Sequence, residues 1–130
     1  MLRCAALAVL VAIAAAALPA AAQMNPNRSF PATALRGEIA VQQPPGLLLN
    51  GKPARLAPGA RIRGMDNMFL LQGALAGQKL VVHYTQDLNG ELLDLWILTP
   101  AEMARQPWPT THAEAAAWRF DPVAQAWSKP

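Results

Sequence analysis

The chain has 130 residues, a formal charge of +3 and an apolar fraction of 53%. Twenty of its first 22 residues are apolar, so the remainder is only about 45% apolar and carries +2, an ordinary composition for one small soluble domain. A remainder of about a hundred residues forms a single modest core. That excludes a two-domain enzyme, a coiled coil and a polytopic membrane protein.

Residues 1–22 open with Arg3, continue with an apolar stretch from Ala5 to Leu18, break at Pro19 and end in Ala20-Ala21-Ala22. This is the tripartite pattern of a secretory signal, with cleavage expected after Ala22 and delivery to the periplasm or medium. The apolar stretch is short for a spanning helix, which needs roughly 20 residues. The single cysteine, Cys4, lies inside this segment. The exported chain is therefore expected to lack disulfides, thiolate metal sites and thiol nucleophiles.

Residues 23–34, with Pro26, Pro31, Asn25, Asn27 and Ser29, read as a flexible leader. From 35 to 99 short apolar runs alternate with turn residues, the pattern of a small barrel. Leu35–Gln42 alternates and stops at Pro44-Pro45. Asn50-Gly51 predicts a hairpin joining Gly46–Leu49 to Lys52–Leu56, with Pro53 confining the second strand to an edge or to a short length. Arg61–Arg63 and Met68–Leu71 are short strands around a turn at Gly64–Asn67.

The best-defined hairpin is Lys79–Thr99. A two-residue bend at Asn89-Gly90 pairs Val82 with Ile97, His83 with Trp96, Tyr84 with Leu95 and Thr85 with Asp94. Leu80, Val82, Tyr84, Leu93, Leu95 and Ile97 then share an inner face, and a slip of one residue would mix charge with core. With Ile62, Leu71 and Leu75 they make up the predicted core. From 100 to 130 alanine, proline and tryptophan dominate. Capping boxes at Thr99/Glu102 and Thr111/Glu114 predict two short helices, and Asp121-Pro122 marks a turn. The fold class is mainly β: a small antiparallel OB-like or SH3-like barrel with two short C-terminal helices and a tail packed against it. Purely local strand connections favour closure, which removes exposed edges.

Three clusters bear on function. His83, Asp94 and Trp96 share the outer face of the main hairpin with Thr85. They form a packing patch or, alternatively, the proton-transfer pair of a small periplasmic enzyme. That second reading requires an open pocket over His83, whereas the tail tryptophans Trp108, Trp118 and Trp127 are expected to fold back over the barrel. Lys52, Arg55, Arg61 and Arg63, with no acidic residue among them, form a basic edge for an anionic polymer or another envelope protein. The absence of interleaved aromatics argues against nucleic acid. Met65 and Met68, with His83 and His112, are the only soft ligands close enough to suggest copper handling, although Met68 also suits the core. No nucleophile triad, phosphate loop or zinc spacing is present. No cofactor is expected.

The runs Leu47-Leu48-Leu49-Asn50-Gly51, Pro58-Gly59-Ala60-Arg61-Ile62-Arg63-Gly64 and Gly73-Ala74-Leu75-Ala76-Gly77-Gln78-Lys79-Leu80 resemble small exported bacterial barrels of the oligonucleotide/oligosaccharide-binding (OB) type. With Trp96-Ile97-Leu98-Thr99-Pro100, Trp108-Pro109-Thr110-Thr111 and Phe120-Asp121-Pro122, the pattern resembles a family of short uncharacterised exported proteins of Gram-negative bacteria. The resemblance implies a barrel and export; it implies no activity, ligand or site residue. The functional expectation is an exported binding or interaction module without catalysis.

Overall fold

The structure, a computed structural model, describes residues 28–130. The expected signal segment, its cleavage site after Ala22 and leader residues 23–27 lie outside the described residues. Eight strands and two short helices follow one another as β1 (Leu35–Val41), β2 (Gly46–Leu49), β3 (Lys52–Arg63), β4 (Phe69–Leu70), β5 (Lys79–Gln86), β6 (Leu92–Ile97), α1 (Pro100–Met103), α2 (His112–Ala117), β7 (Arg119–Asp121) and β8 (Ala126–Ser128).

Five strands close a ring. β1 pairs with β2 and β5, β5 with β6, β6 with β3, and β3 back with β2. Every pairing is antiparallel except β3 with β6. Of the two barrel types expected, a closed five-strand ring with one parallel closing pair is that of the OB type. The core is Leu35, Ile39, Val41, Leu47, Ile62, Leu75, Val82, Tyr84, Leu92, Leu95 and Ile97. Alternation on β1 buries every second residue, as a strand with one inward face requires.

The Asn50-Gly51 bend has positive φ at both residues, 52° and 82°, and sets Leu49 opposite Lys52 and Leu48 opposite Pro53. Pro53 was expected to shorten its strand or hold it at an edge, yet β3 runs for 12 residues and pairs on both sides. The register explains this. Next to a two-residue bend, Leu49 and Lys52 exchange the ladder bonds, so Leu48 and Pro53 form a non-bonded pair that needs no amide from proline. On its other side β3 meets β6 only from Leu56 onward.

The main hairpin keeps the expected register at Val82–Ile97, His83–Trp96 and Tyr84–Leu95, but not by the expected bend. The connection has three residues, Leu88–Gly90. Gly90 N–H donates to Asp87 O, Asp87 N–H donates to Glu91 O, and Gly90 has φ 79°. The Asp87 carboxylate accepts the amides of Asn89 and Glu91, both at 2.9 Å, which selects a type I turn followed by a left-handed glycine. The extra loop residue shifts the pairing to Gln86–Leu92, and a bulge opposite Thr85 restores it by Leu95. Residues 93 and 94 together oppose one residue, so Thr85 and Asp94 are not a simple pair. The bulge also exchanges two leucines. Leu92 is fully buried, whereas Leu93, expected in the core, is 37% exposed.

Leu71 also departs from the predicted core, at 82% exposed. It follows β4, a two-residue strand attached to β3 outside the ring, where alternation has no interior to face. Leu80 packs at the margin of the core. The tail holds both predicted helices. Thr99 and Glu102 complete a reciprocal capping box, and Thr111 Oγ1 accepts from Glu114 N–H. It also holds an unforeseen hairpin in which Phe120 faces Trp127.

Residues 28–34, expected as part of a loose leader, are built into the fold: Arg28, Phe30 and Ala34 are all buried. Arg28 Nε and Nη2 donate to the two Glu102 oxygens at 3.0 and 2.6 Å, while Nη1 and Nη2 donate to Gly64 O and Ile97 O, each at 2.7 Å. The Gln125 side chain accepts from Phe30 N–H at 2.8 Å and donates to Phe30 O. Proline and asparagine content suggested flexibility, but one buried guanidinium and one ring supply long-range partners that composition cannot show.

The bulge gives a sharp test. Leu92→Ala costs about 2–5 kcal/mol, as does Ile97→Ala, whereas Leu93→Ala stays within about 1 kcal/mol. Urea denaturation of the three variants measures this, and equal losses at 92 and 93 contradict the bulged register.

Candidate functional site

The outer face of the main hairpin is covered. His83 is 1% exposed. The Phe30 ring meets it edge-on at 4.5 Å between centroids, and Trp108 lies at 4.1 Å, tilted by 31°. Trp96 meets Phe30 edge-on, and Phe120 and Trp127 extend the layer through Trp108. Trp108 Nε1 donates to Ala34 O at 3.0 Å, which anchors the ring to the chain just before β1. The tail and residues 28–34 thus close over the histidine together.

His83 and Asp94 do not form a proton-transfer pair. The Asp94 carboxylate faces Arg63 and the Thr85 hydroxyl, each at 3.5 Å, and its amide donates to Thr85 Oγ1. The His83 ring hydrogen-bonds the backbone of Leu35, and its Nδ1 has no hydrogen-bond partner among the described residues. The proton-transfer reading required an open pocket here, and Phe30 and Trp108 occupy that space. Trp96 contributes packing. Of the two methionines near each other in sequence, Met65 lies against the core and Met68 is exposed rather than filling it.

Of the four basic candidates, all on β3, Lys52, Arg55 and Arg61 are exposed and Arg63 is partly buried. Arg63 has other employment: it pairs with Asp94 at 3.5 Å and lies over the Phe69 and Trp96 rings at 5.0 and 5.5 Å. Among the described residues Lys52, Arg55 and Arg61 enter no ion pair. Lys52 and Arg55 line two adjoining clefts, and Arg61 lies on β3 just beyond the lining of the first. The first, of about 460 Å³, is lined by Pro44, Pro45, the β3 stretch from Arg55 to Ala60, Leu70 and Leu71. The second, of about 480 Å³, holds Lys52, Arg55, Gln86 and Asn89. Arg55 and Glu91 line both, so the clefts form one trough along β3.

The first cleft has a structural cause. β3 pairs with β2 only as far as Arg55, and with β4 only from Ile62. Against β6 its register jumps from Leu56–Leu92 to Arg61–Asp94, five steps along one strand for two along the other. Residues 57–60 therefore have no register partner on either side. Pro58 has no ladder donor and Gly59 has φ 79°, so this stretch bows out of the sheet. The Pro58-Gly59 pair was the available sign of a bulge within a strand. The apolar lining from Pro44-Pro45 and Leu70-Leu71 had no such sign, because those residues converge only on folding.

A third cleft, of about 580 Å³, brings Thr33, Thr85, Asp94 and His112 together. The imidazole Nε2 of His112 lies 2.7 Å from Gln86 Oε1. Among the described residues no hydrogen bond joins it to a hydroxyl.

The buried histidine has a measurable consequence. Burial, followed by the charges of Arg36, Arg28 and Arg105, lowers the His83 pKa to about 2. Its stability contribution is complete above the unfolded-state value near 6.5 and is lost as pH falls toward the folded-state value. As pH falls from 6.5 to 5 the unfolded chain increasingly binds a proton that the folded one refuses, and the slope grows from about 0.7 to about 1.4 kcal/mol per pH unit. Urea midpoints should fall accordingly, and His83→Phe should flatten the dependence. An equal slope in that variant contradicts the assignment. No family model matches the chain, and neither a curated protein nor a solved structure matches it, so the barrel and its clefts are where a functional reading starts.

Proposed function

We propose that this protein is an exported binding module of the cell envelope, acting without catalysis or cofactor, and that its binding face is the β3 trough. Export rests on the signal pattern of residues 1–22 and on the resemblance to short exported proteins of Gram-negative bacteria. The observation that carries the binding reading is the trough itself, where exposed Lys52 and Arg55 outnumber Glu91 in the lining, beside an open apolar cleft, with exposed Arg61 just beyond it on β3. An acidic partner from the envelope, a polymer or another protein, suits these cations, with attraction that salt weakens. Nucleic acid fits poorly, since neither cleft is lined by an aromatic ring on which a base could stack. Arg63 is left out of the binding set because Asp94, Phe69 and Trp96 already engage it.

The test uses protein purified from the periplasm of an expressing bacterium, with a heparin hexasaccharide and poly-glutamate as acidic probes. Binding of at least one probe should weaken as salt rises from about 50 to about 200 mM. It should also drop about threefold or more in Lys52→Ala/Arg55→Ala, a loss matching two exposed cations. Binding indifferent to both changes, or no binding of either probe, overturns this face.

A further inference from the structure

We infer that the trough receives an extended peptide segment, which adds as a short strand beside residues 57–60 with apolar side chains facing inward and acidic ones outward. This rests on the β3 trough being the binding face, and it names the chemistry of the partner. The primary observation is the interruption of the sheet. Along the edge of β3 that carries β2 and then β4, register pairing stops at Arg55, one further bond runs from Leu56 N–H to Pro45 O at 3.0 Å, and pairing resumes at Ile62. The cleft wall includes the whole unpaired run Ala57–Ala60. Backbone without a ladder partner is what strand addition uses, and here Ala57, Gly59 and Ala60 have amides to offer, while Pro58 has none and Gly59 turns the chain at φ 79°: main-chain hydrogen bonds supply affinity, and alternate side chains supply selectivity.

The side chains around the slot sort in the same way. Leu56, Ile62, Leu70 and Leu71 make its floor and wall. Ile62 belongs to the barrel core and Leu56 packs against it, so an inward apolar residue of the guest would extend that core. Leu71, which lines the cleft and is 82% exposed, gains cover from such a guest. Arg55 and Arg61 flank the run at its two ends, and both are exposed. Acidic residues on the guest's outward face lie diagonally across from them, within reach of long side chains in paired strands. Pro44 and Pro45 close the far side of the cleft and, lacking amide hydrogens, cannot supply donors there. The unpaired run of four residues, Ala57–Ala60, spans at most about 13 Å, room for a segment of about three or four residues. An acidic polysaccharide would answer the arginines but not the unpaired backbone or the leucine wall.

The experiment titrates the periplasm-purified protein with a pool of soluble hexapeptides alternating glutamate with leucine, valine or phenylalanine. It uses the same pool N-methylated at alternate amides, and a heparin hexasaccharide. We expect the unmodified pool to bind, with about a fivefold or greater loss on N-methylation and a similar loss in Arg55→Ala, a surface change that leaves the core untouched. Isotope-labelled protein should show its largest amide shifts at Ala57, Gly59 and Ala60. Heparin binding that depends on Arg55, together with peptide binding indifferent to N-methylation or absent, overturns strand addition while the basic binding face stands. Failure of peptide and heparin alike overturns both. Peptide binding with shifts confined to another face overturns the slot.

Discussion

The Arg28 guanidinium is where the separate parts of this protein meet. It is 5% exposed and its partner Glu102 is 1% exposed. Four of its hydrogen bonds join the N-terminal segment to the helix after β6, the turn after β3 and the end of β6 itself. Burying such a pair costs several kcal/mol per ion in desolvation, and only complete hydrogen bonding offsets that cost. Completion is visible here: Glu102 Oε1 also accepts Thr99 N–H at 2.9 Å, so the oxygen that caps α1 also holds Arg28. With Arg28 fixed, Phe30 lies two residues on and reaches His83, and Gln125 fastens the Phe30 backbone to the last hairpin. The covered face of the barrel follows from that anchorage.

This covering determines where function can reside. The outer face of β5 and β6 looked chemically rich in sequence, with a histidine, an aspartate and a tryptophan in register. Folding turns it into a second core of Phe30, Ala34, Leu98, Trp108 and Trp127. Asp94 still lines the cleft it shares with His112, and the β3 trough is a different kind of surface. It has no titrating pair or stacked ring but an irregular stretch of β3, flanked by cations and apolar side chains. A small barrel without disulfides among its described residues keeps one face tightly closed and leaves another incompletely paired, and incomplete pairing is the commoner setting for recognition.

How much of this was legible from residue order varied with the range of the interaction. The register of Val82–Ile97 and Tyr84–Leu95 could be read because alternation permits only one facing. The capping box at Thr99 and the N-cap at Thr111 could be read because they are local, although Glu114 turns its carboxylate to the Thr110 and Thr111 hydroxyls and does not close the second box. The bend between those strands was misread, since Asp87 captures two amides and moves the turn by one residue, and a compensating bulge hides the shift from the register while exchanging Leu92 for Leu93. Arg28 and Glu102 are 74 positions apart, and nothing in a proline-rich leader identifies its arginine as an interior residue. The basic candidates were found as a group, but Arg63 left it through contacts with Phe69 and Trp96 that depend on folding. The slot beside Pro58-Gly59 needed two strands to end at the right places.

The central claim is that Arg28 and Glu102 act as one unit that holds residues 28–34 over the barrel. A double-mutant cycle in urea, with Arg28→Met, Glu102→Gln and the pair together, tests it most directly. Arg28→Met alone strands a buried carboxylate and should cost about 3–5 kcal/mol. The double variant should be less destabilised than the sum of the singles by about 1 kcal/mol or more. Strictly additive losses, or an Arg28→Met protein as stable as the parent, would contradict the account.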